Sequence, residues 1–113
     1  SKVYGILSVL LQTYFTAEYL FTVPPQVFIP PPKVQSGVLR LIRREEAPTG
    51  FAYHHLKRIT KAAFNQRRKT LRNALSAGGF PIDGIDPEIL CKRAEQLSPE
   101  AFQSLARELP DRT

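Results

Sequence analysis

The stretch from Val23 to Ser36, VPPQVFIPPPKVQS, separates two apolar runs, and five of the chain's ten prolines lie within it. Proline fixes φ and has no N–H to donate, so the stretch can be neither the interior of a helix nor a central strand. Residues that precede proline are also pushed toward extended conformations. We therefore predict a stiff, extended loop whose shape is largely set before anything binds to it.

Phe28 begins a series of alternate positions within this loop. Alternate residues of an extended chain point the same way. Phe28 therefore shares one side of the loop with the scaffold residues Pro30, Pro32, Val34 and Ser36. We therefore expect the rigid loop to act as a wall that holds the Phe28 ring in a fixed position, where the ring can contact a binding partner. The alternative is a proline-rich connector with Phe28 plugging the core, since a lone aromatic residue is more often packing than a binding site.

The segments on either side of the loop have the periodicities of one helix and two strands. Residues 4–15 repeat apolar side chains at helical spacing, which predicts a helix with one buried face. Residues 17–23 are rich in β-branched and aromatic types, which predicts a strand. Residues 37–43 predict a second strand, in which alternating residues give mixed burial. Two strands alone are marginally stable in water. We therefore expect this pair to form one edge of a larger sheet, or to pair with a second copy of the chain.

Residues 46–50, with Pro48 and Gly50, have the composition of a domain linker. They divide the chain into an N-terminal α/β part, residues 1–45, and an all-α domain, residues 51–113.

Three stretches of the second half show helical apolar spacing. Asp86-Pro87 and Ser98-Pro99 each read as an N-cap followed by proline at the first helical position. The sequence leaves open whether the chain stays helical through Asn65-Gln66. We expect helices over 51–64, 67–77 and 99–109.

The composition argues against several classes of protein. One cysteine cannot form an internal disulfide, and we expect Cys91 to be a small buried apolar residue. The first apolar run is too short to span a bilayer and lacks the features of a signal peptide, which predicts a cytoplasmic protein with no membrane partner. His54 and His55 are adjacent and would point about 100° apart on a helix, so we expect no metal site there. No Gly-rich phosphate loop opens a helix.

The cations of the chain are concentrated in its middle. Residues 47–82 contain seven lysines and arginines and no acid, against a net charge of +6 for the whole chain. A solvated helix face is the usual reading of a charge run, but without nearby acids intrahelical ion pairs cannot explain this one. Arginine and lysine neutralise phosphates, and amides can contact sugars or base edges. The predicted RNA-binding residues are Lys57, Arg58, Lys61, Arg67, Arg68, Lys69, Arg72 and Asn73.

Three segments carry a family resemblance. They are Tyr4-Gly5-Ile6-Leu7-Ser8-Val9, Phe28-x-Pro30-x-Pro32-x-Val34-x-Ser36 and Phe64-Asn65-Gln66-Arg67-Arg68-Lys69-Thr70-Leu71-Arg72-Asn73. In this order and spacing they resemble the C-terminal half of the KsgA family of small-subunit ribosomal RNA adenine dimethyltransferases. The later segment 93–98 also fits, so the resemblance covers nearly the whole chain.

The resemblance implies a fold and a reaction. The fold would be the last helix and final antiparallel strand pair of a Rossmann-like methyltransferase domain, followed by a small RNA-contacting helical domain. The complete enzyme would use S-adenosylmethionine to dimethylate adjacent adenines of 16S RNA in a 30S precursor particle, a step of ribosome biogenesis.

The family's cofactor loop, its acidic ribose-binding residue and its Asn-Leu-Pro-Tyr catalytic motif would lie before residue 1. We therefore expect the chain to be cut from a longer protein. The present chain would hold no catalytic or cofactor-binding residue, and we expect this chain to be inactive alone.

The resemblance also gives Phe28 a role, because the aromatic residue of this loop in related enzymes is thought to stack on the flipped target adenine. Two alternatives remain. One is the large-subunit ribosomal RNA methyltransferase that confers macrolide resistance, and the other is an RNA-binding adaptor without enzymatic activity.

The stacking role of Phe28 leads to a prediction for the intact enzyme. Phe28→Ala is expected to lower methyl transfer much more than RNA binding, because the ring holds the extruded purine and not the duplex around it. Methyl incorporation and RNA affinity measured on the same variant check this. Equal losses in both would remove the stacking role.

Overall fold

The computed structural model describes residues 4–23 and 36–111, with the backbone alone at Val23 and Ser36. One helix, two strands and a helical second half follow in the predicted order. The elements are α1 (Ile6–Tyr14), β1 (Phe15–Val23), β2 (Ser36–Arg43), α2 (Tyr53–Asn65), α3 (Leu71–Ala77), α4 (Pro87–Leu90), a 3₁₀ turn (Ala94–Gln96) and α5 (Pro99–Glu108).

β1 and β2 pair in antiparallel fashion, beginning with Phe15 opposite Arg43, and the register is irregular between Tyr19 and Phe21. Within residues 37–43, Val38 alone is partly covered. The expectation of mixed burial in the second strand is therefore wrong for most of its length, because α1 only lines an open cavity of about 190 Å³ beside Leu39 and Leu41 and does not cover them. The large apolar side chains left exposed on the sheet are Tyr19, Leu20, Phe21, Leu39, Leu41 and Ile42.

α2 lies at the centre of the helical body and packs against α1, α3 and α5. Its apolar residues fall on one side, as their spacing predicts, and Leu56 and Ile59 are fully buried. Phe102 from α5 is also fully buried and stacks with Phe64 at a ring-centroid distance of 5.7 Å. The larger fully buried apolar side chains are Val9, Leu56, Ile59, Leu71, Leu75, Phe102 and Leu105.

α1 is joined to α5 by buried polar contacts. The Thr13 hydroxyl donates to the carbonyl oxygen of Val9 at 2.7 Å and accepts from Nε2 of Gln103 at 3.2 Å. Both polar side chains are buried, and a buried polar group without a hydrogen-bond partner is destabilising. These bonds therefore compensate for the loss of hydration. α1 thus packs on the helical body, although it stands before the sheet in the chain; the domain boundary at residues 46–50 stays a prediction.

The helix breaks at the point that the sequence left open. α2 ends at Asn65, and the Lys69 N–H donates to the Gln66 carbonyl oxygen at 2.8 Å, which closes a turn. α3 begins at Leu71, so the prediction of a helix from residue 67 is wrong for 67–70. Leu71 is fully buried, and its N–H donates to the Lys92 carbonyl oxygen at 2.7 Å, a long-range bond that it could not make inside a continuous helix.

Both predicted N-caps are confirmed, whereas the prediction for Cys91 is wrong. Asp86 Oδ1 accepts from the Glu88 N–H at 2.9 Å, and Ser98 Oγ accepts from the Ala101 N–H at 3.2 Å.

Cys91 is exposed because it follows α4, a single helical turn in which the neighbouring Leu90 is the residue buried in the core. Among the described residues, no helix is long and apolar enough to cross a membrane.

α2 and α3 approach so closely at Gly78 that a side chain does not fit. A Cβ built on Gly78 would lie 2.8 Å from Cβ of Ala62. The backbone of Gly78 is ordinary right-handed helix, with φ of −79°, so the constraint there is steric.

We expect Gly78→Ala to lower the free energy of unfolding by about 1–3 kcal/mol, the usual cost of overpacking. The matched test repeats the substitution in an Ala62→Gly background, where the opposing methyl group is gone. The loss should then be smaller, although Ala62→Gly itself costs about 1 kcal/mol as a glycine in a helix. Urea unfolding of the four proteins gives the coupling. The same loss in both backgrounds would show that the contact with Ala62 is not the cause.

Candidate RNA interface

Most of the predicted target-base loop lies outside the described residues, namely Phe28, Pro30, Pro32 and Val34. Ser36 begins β2, and its backbone alone is described. The roles of these five residues therefore stay predictions.

The cations of α2 lie on the side away from the core. Lys57, Arg58 and Lys61 are all exposed, while the buried side of the same helix carries the apolar residues. A helix rises about 1.5 Å per residue, so Lys57 and Asn65 at the end of the helix are about 12 Å apart. The exposed side of α2 is therefore a short cationic strip that ends in an amide.

Two shallow cavities meet at Asn65. One, of about 330 Å³, is formed by Asn65 and the turn that follows α2. The other, of about 320 Å³, lies between α2 and the end of α3, where Gly78 and Phe80 form its far wall. We call the continuous surface the basic groove and define it by Arg58, Lys61, Asn65, Gln66, Arg68 and Lys69.

In the described part of the chain, the cations of the basic groove have no carboxylate counterions. Within residues 4–23 and 36–111, none of its four cations lies within 4.0 Å of a carboxylate; ion pairs found elsewhere in these residues include Arg40 with Glu18 and the two histidines with Asp111. Arg58 places its guanidinium 5.5 Å from the centroid of the Phe80 ring, which fixes the cation above an apolar wall. The groove therefore presents uncompensated positive charge with a defined shape, as phosphate recognition requires.

Arg67 differs from its neighbours in the same turn. Nη1 donates to the carbonyl oxygen of Tyr4 at 3.1 Å, and the guanidinium lies 4.9 Å from the centroid of the Phe64 ring. The ring of Tyr4 packs edge-on against Phe64 at 5.8 Å. Arg67 therefore joins the start of α1 to the end of α2. The structure gives it a structural role that the sequence did not predict, and its RNA contact stays a prediction.

Arg72 and Asn73 are exposed in the first turn of α3, directly after the turn that carries Arg68 and Lys69. The fold thus brings the eight predicted RNA-binding residues onto α2, the next turn and the start of α3. Sequence reasoning missed Gly78 and Phe80 as a wall of the groove. The pair Gly78-Gly79 predicted only the end of a helix, and nothing local indicates that Phe80 folds back toward Arg58.

The two histidines contact the end of the chain. Nε2 of His54 lies 3.0 Å from a carboxylate oxygen of Asp111, and Nε2 of the buried His55 donates to the carbonyl oxygen of Leu109 at 2.8 Å. These contacts hold the start of α2 against the segment after α5. Among the described residues, no group of three or more His, Cys, Asp and Glu side chains is placed to hold a metal ion.

A family model described as ribosomal RNA adenine dimethylase matches residues 1–100. The chain belongs to this family. Relatives named ribosomal RNA small subunit methyltransferase A include one from Porphyromonas gingivalis, 53% identical over 107 residues, which cover 92% of this chain and 41% of the relative. Another, from Bacteroides thetaiotaomicron, is 47% identical over 116 residues, which cover 98% of this chain and 42% of the relative. The chain thus spans about two fifths of the length of these curated relatives.

Solved structures show the same fold as this dimethylase-family chain. A dimethyladenosine transferase from Plasmodium falciparum has a TM-score of 0.71 at 18% identity, with 96% of this chain and 49% of that chain covered. A 23S rRNA methyltransferase, ErmE, has a TM-score of 0.61 at 23% identity, with coverages of 90% and 44%. At these identities the likeness is one of fold.

The contrast between Arg67 and Arg68 gives a prediction about stability. Arg67→Ala is expected to lower the free energy of unfolding by about 1–3 kcal/mol, because it removes a charged hydrogen bond and a cation–π contact. Arg68→Ala is the matched control, since Arg68 is exposed; its effect should stay within about 0.5 kcal/mol. Urea unfolding measures both. Equal stabilities for the two variants would contradict the structural role of Arg67.

Proposed function

We propose that the protein containing this chain dimethylates adjacent adenines of small-subunit (16S) ribosomal RNA, and that this chain supplies its RNA-contacting surface. Membership of the dimethylase family and relatives of about 50% identity named for the small subunit support the reaction. The basic groove is the structural observation that carries the RNA contact, because its cations have no carboxylate partners in the described part of the chain. The partner would be the 30S precursor particle in the cytoplasm.

S-adenosylmethionine, when bound, would supply the methyl group. Among the described residues no Gly-rich turn joins a strand to a helix, and neither cavity of the basic groove is lined by a carboxylate that could bind the ribose. We therefore place the cofactor on no residue of this chain. The chain's contribution to the proposed reaction is to bind RNA through the groove and, through Phe28, to hold the extruded adenine.

The exposed sheet fits the same proposal. β1 and β2 carry large apolar side chains that the described elements leave largely exposed, and Tyr19, Phe21 and Leu39 are each more than half exposed. A two-stranded sheet of this kind gains stability by joining further strands. We propose that in the complete enzyme it extends the methyltransferase sheet. Pairing of two copies of the chain through these edges is the alternative.

The reaction is tested with the complete enzyme and ribosomal subunits from cells that lack the modification. Labelled methyl groups should enter 16S RNA as a pair of dimethyladenines. Label in 23S RNA instead would favour the macrolide-resistance type of enzyme. RNA binding without methyl transfer would favour the adaptor.

The groove is tested by reversing charges. Lys61→Glu with Arg68→Glu should weaken binding to small-subunit particles and flatten its dependence on salt, because each lost phosphate contact lowers the slope of log K against log [salt] by about 1. Arg67 is kept, since its loss would disturb the fold. Lys92→Glu is a control for charge, because Lys92 is exposed and lines neither cavity of the groove. An unchanged salt slope in the double variant would refute the contact.

A further inference from the structure

A second surface lies where α1 meets β1 and where α2 begins. An apolar cavity of about 320 Å³ is lined there by Tyr14, Phe15, Arg43 and Tyr53. Three of its four side chains are aromatic, and the fourth is a cation. None of these residues is among the predicted site residues, and none lines the basic groove.

The aromatic side chains form an open pocket. The rings of Tyr14 and Tyr53 meet edge to face at a centroid distance of 5.8 Å and an angle of 61°. Tyr53 nevertheless keeps 50% of its surface exposed, so part of its ring remains open to contact from solvent. Burial, with a smaller effect from Tyr53, raises the pKa of the Tyr14 hydroxyl above its ordinary value. The pocket therefore offers neutral aromatic surface to solvent.

The charges around the pocket favour a nucleic acid over an apolar protein surface. Arg43 is exposed and has no carboxylate within 4.0 Å in the described part of the chain. Lys57 and Lys61 follow Tyr53 at intervals of four residues, so they continue along the same side of α2. Lys61 belongs to the basic groove, and a row of exposed side chains thus leads from the pocket into that groove.

We propose that this pocket binds an unpaired base of the RNA substrate, with the base stacked on Tyr53 and the adjoining phosphate on Arg43. The proposal rests on the proposed function, since it adds a base contact to the same RNA surface. Stacking on an exposed aromatic ring beside cations is how proteins bind unpaired nucleotides with little sequence preference.

This base is not the one that Phe28 is predicted to hold. The pocket lies at the Phe15–Arg43 end of the strand pair, and the proline-rich loop leaves from the opposite end, after Val23. A strand rises about 3.3 Å per residue, so the two ends of β1 are roughly 26 Å apart. The pocket would therefore fix a remote part of the RNA and not the reacting adenine.

The test compares two fluorescein-labelled probes with equal numbers of phosphates, an oligoadenylate and an abasic strand of the same length. Tyr53→Ala should weaken binding of the oligoadenylate by about 5- to 150-fold, the range of stacking losses on alanine substitution. Binding of the abasic strand should not change. Tyr53→Phe keeps the ring and should bind like the original protein. Leu7→Ala is the control for loss of an exposed apolar side chain, since Leu7 is 67% exposed on α1 and does not line the pocket.

A tryptophan at the same position gives a direct readout. This stretch has no tryptophan of its own, so the emission that Tyr53→Trp adds to that of the unsubstituted protein comes from an indole at the pocket. Its fluorescence should be quenched by the oligoadenylate and not by the abasic strand. This variant also tests the proposal if Tyr53→Ala does not fold.

The outcomes separate the pocket from the function on which it rests. Equal losses of Tyr53→Ala on both probes, or no loss on either, overturn the pocket, as does an indole signal that is the same for both strands. If the pocket instead binds a protein, Tyr53→Ala should leave the binding of both probes unchanged, and this result overturns the proposal. If the original protein binds neither probe, the proposed RNA surface itself fails.

Discussion

Burial of one side of α2 is the constraint on which the rest of this structure depends. α1, α3 and α5 all pack on that helix, and its core side chains Leu56 and Ile59 are fully buried. Because apolar residues recur at helical spacing, the same helix must turn its other side to water, and that side carries Lys57 and Lys61. Hydrophobic packing therefore fixes where the positive charge of the chain is displayed.

The cationic turn after α2 shows how one sequence run serves two purposes. Arg67 contacts Phe64 and the Tyr4 carbonyl and so joins two helices, whereas Arg68 and Lys69 face solvent beside Asn65. A guanidinium can stabilise the fold or bind a phosphate, since its planar group stacks on aromatic rings and its N–H groups donate to oxygen atoms. The direction of each side chain in the turn decides which arginine packs against the fold and which faces solvent.

The segment between the sheet and α2 is fixed by similar contacts. Nη2 of Arg44 donates to the Gln12 carbonyl oxygen at 2.9 Å, and Nε of Arg107 donates to the Thr49 carbonyl oxygen at 2.8 Å. Gly50 follows with a φ of +93°, which favours glycine. These bonds hold the segment to α1 and to α5, so the start of α2, and with it the pocket at Tyr53, has a defined position relative to the sheet.

The sequence by itself determined the order of helices and strands, the N-caps at Asp86 and Ser98 and the concentration of cations, because periodicity, capping and charge are properties of neighbouring residues. It also carried the family resemblance, which the match to residues 1–100 confirms. Only the tertiary structure decided the break after Asn65, the exposure of Cys91, the separate role of Arg67 and the pocket around Tyr53. Each of these depends on contacts between residues far apart in the chain, such as Arg67 with Tyr4. The spacing of neighbouring residue types does not predict such contacts.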